Sequence, residues 1–207
     1  MIDMPQTDAI PTLAQAEELL TWAQSLNPGP WVQHSQAAAR AAQAIAARCN
    51  LDPERAYVLG LMHDIGRYEG VRDLHHVVAG YSLALNHGWP GVARICLTHS
   101  FPVRELDSYA GRHDCSPDEL AMLRSFIASV EYDIYDELIQ LCDALALPGR
   151  ISLMDSRLID VALRHGLNDY TLDRWKLYYA RKAHFDALSG SNIYELFRDE
   201  IIHSVFD

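Results

Sequence analysis

Two adjacent residues that could bind a metal ion, His63 and Asp64, end an apolar stretch of the sequence. Neighbouring side chains on a helix point about 100° apart, so the two can share a target only beside a helix end. An imidazole and a carboxylate are costly to bury without partners, and a divalent cation would satisfy both. The alternative from these two residues alone is a hydrogen-bonded core histidine beside a helix-end aspartate.

Two glycines flank this pair. Gly66 suits the position just past a helix C-terminus, where left-handed dihedral angles cost little without a Cβ. Gly60 lies one turn before His63 and carries no side chain. We therefore expect a second helix to approach closely at Gly60.

Three further polar residues stand out in apolar surroundings. Asp143 is the only charged residue in the stretch 138–147, so it is either buried and paired or part of a thin polar seam. His99 ends an apolar helix, and His34 lies in the first turn of an alanine-rich one. Taken singly, each histidine has the simpler interpretation of a core or capping residue.

Taken in order, these residues resemble the HD-domain superfamily of metal-dependent phosphohydrolases. The sequence His-Asp-Ile-Gly-Arg at 63–67 resembles the central H-D-I-G-[KR] motif of that superfamily. His76 and Gly80 resemble the H-x-x-x-G element of members that hold two metals. The order and spacing fit over residues 31–148, and the helical tail resembles the extension of some bacterial members.

The resemblance implies two divalent metal ions, such as manganese, iron or zinc, that share Asp64. It implies that Arg67 acts with Asp64 in catalysis by contacting the substrate phosphate, and that His75 contacts substrate or simply faces solvent. The metal ligands that it implies are His34, His63, Asp64, His76, His99 and Asp143.

The activity implied by the resemblance is hydrolysis of a phosphate ester or anhydride in a small phosphorylated metabolite, preferably a nucleotide, by a metal-bound hydroxide. The Gly-Tyr-Pro loop of cyclic-di-GMP phosphodiesterases is absent, which disfavours that substrate. Two alternatives stay open. One is a di-iron oxygenase with a similar ligand set, and the other is a non-catalytic sensor or binding module.

Composition limits the partners. The chain has 207 residues, 49% of them hydrophobic and 22% charged, with a net charge of −11, which is typical of a globular protein. The acidic balance argues against a nucleic acid polymer or an anionic membrane as partner. Four scattered cysteines without a C-x-x-C motif, and residues 1–5 unlike a signal peptide, predict a cytoplasmic protein.

Helical periodicity, with no alternating β pattern, predicts a single all-α domain over 1–207 with nine or ten helices. We expect an N-terminal helix at 12–26, an HD core at about 31–148 and a helical extension at about 149–207. The predicted helices are 12–26, 31–49, 53–65, 74–86, 89–99, 116–129, 133–147, 153–165, 171–188 and 192–205.

Two other segments invite a functional interpretation. The pair His113-Asp114 repeats the dipeptide but lies in a glycine-rich loop, so we do not expect it to bind metal. The basic and aromatic stretch 174–182 is predicted to be an amphipathic helix with a solvated basic face. A substrate lid or a homodimer surface is the alternative for this stretch.

Overall fold

The computed structural model describes residues 8–206, so the assessment of residues 1–5 lies outside the described residues. The predicted all-α class is confirmed, because this part of the chain forms ten α-helices and only one pair of very short strands. The helices are α1 (Leu13–Leu26), α2 (Pro30–Arg48), α3 (Pro53–Met62), α4 (His75–Asn86), α5 (Pro90–Thr98), α6 (Pro117–Ser129), α7 (Ile134–Leu145), α8 (Met154–His165), α9 (Thr171–Ser189) and α10 (Arg198–Phe206). The division of the chain into one domain stays a prediction.

The differences from the predicted elements are local. Helix α3 ends at Met62 and not at 65, and a 3-10 helix over Ile65–Glu69 replaces the first part of the predicted loop. Another 3-10 helix, Ile193–Phe197, precedes α10. The strands β1 (Ala146–Leu147) and β2 (Arg150–Ile151) form an antiparallel hairpin at the end of α7. Two-residue strands are too short to show an alternating pattern.

Side-chain caps define where several helices begin. The Asp52 carboxylate accepts hydrogen bonds from two backbone N–H groups at the start of α3, with Pro53 at the first helical position. Ser116 and Glu119 form a capping box at α6. Asp133 and Asp136 form the same arrangement at α7. These are the helix starts that the sequence indicates most clearly.

Helices α2 and α3 pack closely because the residues between them are small. A Cβ on Gly60 would lie 2.8 Å from the Cα of Ala39, so only glycine fits at this crossing. The alanines of α2 that face the core are fully buried. The close approach predicted for Gly60 is confirmed, and it brings the beginning of α2 near the end of α3.

A buried polar network joins α5 to α7. The Asp136 carboxylate accepts hydrogen bonds from Arg94 Nε at 2.9 Å and from Thr98 Oγ1 at 2.7 Å. Gln140 Nε2 donates to the Thr98 carbonyl at 2.8 Å. The C-terminal end of α5 is therefore fixed against α7, one residue before His99.

The C-terminal helices pack onto the same apolar core. Leu158 of α8 and Phe185 of α9 are buried in the cluster formed by α1, α2, α3 and α7. In the described part of the chain, no helix combines the length and the apolar composition needed to cross a membrane.

Candidate metal centre

The structure brings the six predicted metal ligands together. His34 Nε2 lies 2.9 Å from Asp143 Oδ1, and His63 Nε2 lies 4.0 Å from the same oxygen. Asp64 Oδ1 lies 3.1 Å from His76 Nε2 and 3.5 Å from His99 Nε2. His63 Nε2 is 3.9 Å from Asp64 Oδ2, which links the two halves of the cluster.

Their helices explain why the six residues meet. His34 is the fifth residue of α2, Asp143 lies in the last turn of α7, and His76 lies in the first turn of α4. His63 and His99 are the residues that directly follow α3 and α5. The site therefore forms where helix ends converge, as expected for an adjacent His-Asp pair.

These side chains form two overlapping donor sets. One consists of His34, His63 and Asp64, and the other of Asp64, His76 and His99. Within each set the donor atoms lie within 4.8 Å of one another, and Asp64 belongs to both. All five residues are at most 6% exposed, and the Asp143 side chain is 17% exposed.

The backbone fixes the protonation of all four histidine rings. Each Nδ1 faces a backbone carbonyl, which can only accept a hydrogen bond, so Nδ1 must carry the proton. The acceptor for His34 is Ala146 O at 3.2 Å, and for His63 it is Gly60 O at 2.7 Å. The ring of His76 faces Asp73 O, and that of His99 faces Cys96 O at 3.0 Å. In the neutral rings, Nε2 therefore presents a lone pair to the cluster.

Within the described residues, no N–H or O–H group donates a hydrogen bond to these Nε2 lone pairs. The Nε2 atoms of His34 and His63 are buried without a hydrogen bond, although Asp143 is only 2.9 Å from the former. That contact is close but lacks the direction of a hydrogen bond. The Nε2 atoms of His76 and His99 face each other at 3.4 Å. A cation between such groups would remove the repulsion among lone pairs and carboxylate oxygens.

Electrostatics favour the metal-binding protonation states. Burial lowers the pKa of His63 to about 4, and burial with Arg67 lowers the pKa of His76. Burial opposes ionisation of Asp64, but Arg67 and the nearby histidines hold the pKa of its carboxyl well below its usual range. At neutral pH His63 and His76 are therefore neutral and Asp64 is ionised, the forms that bind divalent metals.

The distances between the donor atoms also fit a bound metal ion. Two atoms that bind one ion at about 2.0–2.2 Å lie about 3–4 Å apart. The contacts between His34 and Asp143, and those of Asp64 with His76 and His99, span 2.9–3.5 Å. The nitrogen and oxygen donor set is one that divalent transition metals accept.

Comparison with known proteins agrees with this geometry. A family model described as the HD domain matches residues 31–147, more than half of the chain. The chain belongs to the HD-domain family. This superfamily consists of metal-dependent phosphohydrolases, and its members bind divalent metals. Comparisons with curated proteins and with solved structures gave no significant match.

The glycine of the HD motif has a different role from the predicted one. Gly66 lies inside the 3-10 helix and not at a left-handed helix end, so the expected backbone conformation is wrong. A Cβ at this position would lie 1.9 Å from His76 O and 2.3 Å from Gly80 N. The missing side chain lets the motif pack directly against α4, which carries His76.

Arg67 lies at the cavity and contacts the shared carboxylate. Its Nε donates to Asp64 Oδ2 at 2.6 Å, and its Nη1 donates to the Arg72 carbonyl at 3.4 Å. Arg67 therefore orients Asp64, a contact that the sequence alone did not indicate. Its role toward a substrate phosphate stays a prediction.

The structure does not bring His75 into the site. Its Nε2 lies 2.9 Å from Glu69 Oε2, its Nδ1 lies 3.7 Å from Glu119, and it is not among the residues that line the cavity. Consecutive residues of a helix point in different directions, so placing His76 in the site turns His75 away. Of the two roles considered for His75, the geometry gives no support to substrate binding.

Asp114 holds the first turn of α4. Its carboxylate accepts hydrogen bonds from the backbone N–H groups of Asp73 at 3.0 Å and of His75 at 2.9 Å. The Asp114 carboxylate therefore binds backbone at the start of α4, and it belongs to neither of the two donor sets. The sequence did not predict this contact, because Asp114 lies 39 residues after His75.

A cavity of about 130 Å³ opens above Asp64, His76, His99 and Asp143. Helices α8 and α9 cover it, with aliphatic side chains from α8 and the aromatic side chains of Trp175 and Tyr178 from α9. Four arginines and two aspartates line it, in a chain with a net charge of −11. The lining residues from α8 and α9 are Arg157, Leu158, Val161, Ala162, Arg164, His165, Thr171, Arg174, Trp175 and Tyr178.

Most of the residues that cover the cavity could not be identified from the sequence. The predicted solvated basic face is wrong for Arg174 and Arg181, which are 7% and 6% exposed. Arg174 Nη1 donates to the Ser108 carbonyl at 2.6 Å, and Trp175 and Tyr178 line the cavity. The only indication of this cover in the sequence was the mixture of aromatic and basic residues at 174–182. This composition does not predict which side of the helix faces the cavity.

Proposed function

We propose that this protein is a hydrolase that cleaves a phosphate ester or anhydride of a small phosphorylated metabolite. The observation that carries the proposal is the pair of donor sets sharing Asp64 beneath an arginine-lined cavity. Membership of the HD-domain family supports the same class of activity. The arginines that line the cavity favour an anionic substrate, although the chain as a whole is acidic. A bound group interacts mainly with the charges close to it, and less with the net charge of the protein.

We further propose that the site holds two divalent metal ions. His34, His63, Asp64 and Asp143 would bind one, while Asp64, His76 and His99 would bind the other. When bound, such ions lower the pKa of coordinated water towards about 7 and neutralise phosphoryl oxygens. The chain itself keeps the four Nε2 lone pairs directed at the ions, because backbone carbonyls hold each Nδ1 proton.

The other residues of the cavity orient the substrate. Arg67 fixes Asp64 through Nε and leaves its Nη2 group for a phosphoryl oxygen. Burial raises the pKa of Tyr178 to about 12, so its hydroxyl stays protonated at neutral pH and is able to donate a hydrogen bond to a bound substrate. Trp175 and Leu158 present apolar surface beside these polar groups, which suits a flat base and makes a nucleotide the substrate class that we favour.

The size of the cavity supports a compact substrate. Its volume of about 130 Å³ is below the roughly 300–1,000 Å³ of sites for drug-sized ligands, so a nucleotide would lie only partly inside it and extend to its opening. Side chains of helices α8 and α9 line the cavity together with four of the predicted metal ligands. A small phosphate compound fits this space better than a polymer does.

The test is a phosphate-release screen with the purified full-length protein. Manganese-loaded protein is incubated with nucleotides and simple phosphate esters, in air and without oxygen, and Asp64→Asn serves as the control. The proposal expects phosphate release under both atmospheres from wild type and none from the variant. Turnover that requires oxygen would favour the iron-dependent oxygenase, and the absence of release from every compound would contradict the proposal.

A further inference from the structure

Helix α8 completes the cavity from outside the HD-domain match. The match ends at residue 147, and α8 spans Met154–His165. Arg157, Leu158 and Val161 line the cavity from one side of this helix. The family match therefore covers the metal ligands but not this wall, which belongs to the C-terminal part of the chain.

Arg157 is the charged residue of α8 that lies nearest to a predicted metal ligand. Its Nη2 lies 3.7 Å from Asp143 Oδ1, a distance that is too long for a hydrogen bond. Its Nη1 donates to Asp160 Oδ2 at 3.1 Å, and its side chain is 20% exposed. Within the described residues, this is the one hydrogen bond found for its guanidinium, so its other N–H groups remain for a ligand.

Asp160 holds this guanidinium in place. The same Oδ2 atom accepts hydrogen bonds from Arg164 at 2.7 Å, so one carboxylate anchors two arginines at the cavity. The two arginines stand one helical turn either side of Asp160, and both line the cavity. Their combined charge exceeds that of Asp160, which leaves the wall positive.

Arg67 and Arg157 contact different carboxylates of the site. Arg67 Nε donates to Asp64, and Arg157 Nη2 approaches Asp143. The two guanidiniums therefore border the cluster of ligands beside its two carboxylates. A phosphoryl group held at the cluster would meet the Nη2 group of Arg67 at one of these places and the N–H groups of Arg157 that Asp160 does not hold at the other. Planar guanidinium donors of this kind match the geometry of phosphate oxygens.

We propose that Arg157 binds the substrate phosphate and that helix α8 thereby completes the active site. This inference rests on the proposed function, because it assumes a phosphoryl group above the metal ligands. It assigns to the C-terminal extension a direct part in recognition. Arg157 is a substrate-binding residue here, while Asp160 is a positioning residue that acts through it.

The experiment measures binding of inorganic phosphate to metal-loaded protein by titration calorimetry, together with the metal content of each variant. For Arg157→Ala we expect phosphate affinity to fall by about 10- to 100-fold at unchanged metal content, since a charge-assisted hydrogen bond is lost. Arg157→Lys should recover part of the loss, because it restores the charge but not the planar fork. Arg198→Ala, which removes an exposed arginine of α10, is the matched control and should bind as wild type does.

Three results would overturn the inference. These are equal phosphate affinity in wild type and Arg157→Ala, loss of metal from Arg157→Ala, and binding by Arg157→Lys no better than by the alanine variant. If the alanine variant does not fold, Arg157→Gln takes its place, with the same expected loss.

The kinetic readout separates this inference from the proposed function. On the best phosphate ester, Arg157→Ala should raise KM more than it lowers kcat. Wild type that releases phosphate while Arg157→Ala shows unchanged KM would refute the role of Arg157 alone. Wild type that releases no phosphate from any ester would refute the proposed function itself.

Discussion

The substitution Gly66→Ala tests how the HD motif supports the second donor set. The added Cβ would lie 1.9 Å from the backbone oxygen of His76 and 2.3 Å from the backbone nitrogen of Gly80. Both are backbone atoms of α4, so no side-chain rotation relieves the contact. Because real Cβ contacts do not fall below 3.0 Å, the motif and α4 must separate by about 1.1 Å, the difference between 3.0 and 1.9 Å.

That displacement has two measurable consequences. Overpacking costs about 1–3 kcal/mol, and a backbone clash lies at the upper end, so Tm should fall by roughly 6–12 °C for a chain of this size. His76 Nε2 now lies 3.1 Å from Asp64 Oδ1, and metal–ligand distances tolerate only about 0.2 Å. We therefore expect Gly66→Ala to lose one metal equivalent as well as stability.

The assays are thermal unfolding of metal-free protein and metal analysis after reloading. Gly88→Ala is the control, because no heavy atom lies within 4 Å of the Cβ added at Gly88, although its φ is positive and that of Gly66 is not. It should lose some stability through backbone strain, about 1–2 kcal/mol, and keep all its metal. The reasoning about Gly66 is refuted if its alanine variant melts within about 2 °C of wild type and binds metal to the same level.

Three further substitutions have distinct expected outcomes. Asp64→Ala removes the ligand common to both donor sets, so metal analysis should find most of the bound metal gone; full metal content would contradict the shared role. Arg67→Ala should keep the metal and lower kcat/KM on a phosphate ester by roughly one to two orders of magnitude, and unchanged kinetics would count against a phosphate contact. Asp114→Ala leaves the backbone N–H groups of Asp73 and His75, at the start of α4, without their acceptor, so the free energy of unfolding in denaturant should fall by about 1–3 kcal/mol; no change would show that water replaces the carboxylate.

Much of the fold follows from local sequence. Caps such as Asp52 and Ser116 interact within two or three residues, so their pattern is visible without the structure. The role of Gly60 could be predicted because a glycine inside an apolar helix mainly serves to let another helix pack closely. The candidate ligands were also recognisable, because their order along the chain resembles a known motif.

The remainder depends on contacts between distant segments. The partners of Gly66 are backbone atoms of α4, and those of Asp114 lie about forty residues away. Arg157 reaches the site only because α8 folds back over the cavity, and no motif marks it. Such contacts are set by how helices pack, and local periodicity does not specify which helices meet.

The central claim is that one shared carboxylate joins two metal sites, and metal stoichiometry tests it most directly. Wild type, His76→Ala, His99→Ala and His34→Ala are loaded with manganese, freed of excess metal and analysed, with anomalous scattering from crystals to locate each ion. We predict two equivalents in wild type, about one in the His76 and His99 variants at the site of His34 and His63, and loss of that site in the His34 variant. Saturation of wild type at one equivalent, retained in the His76 and His99 variants, would contradict the two-metal centre.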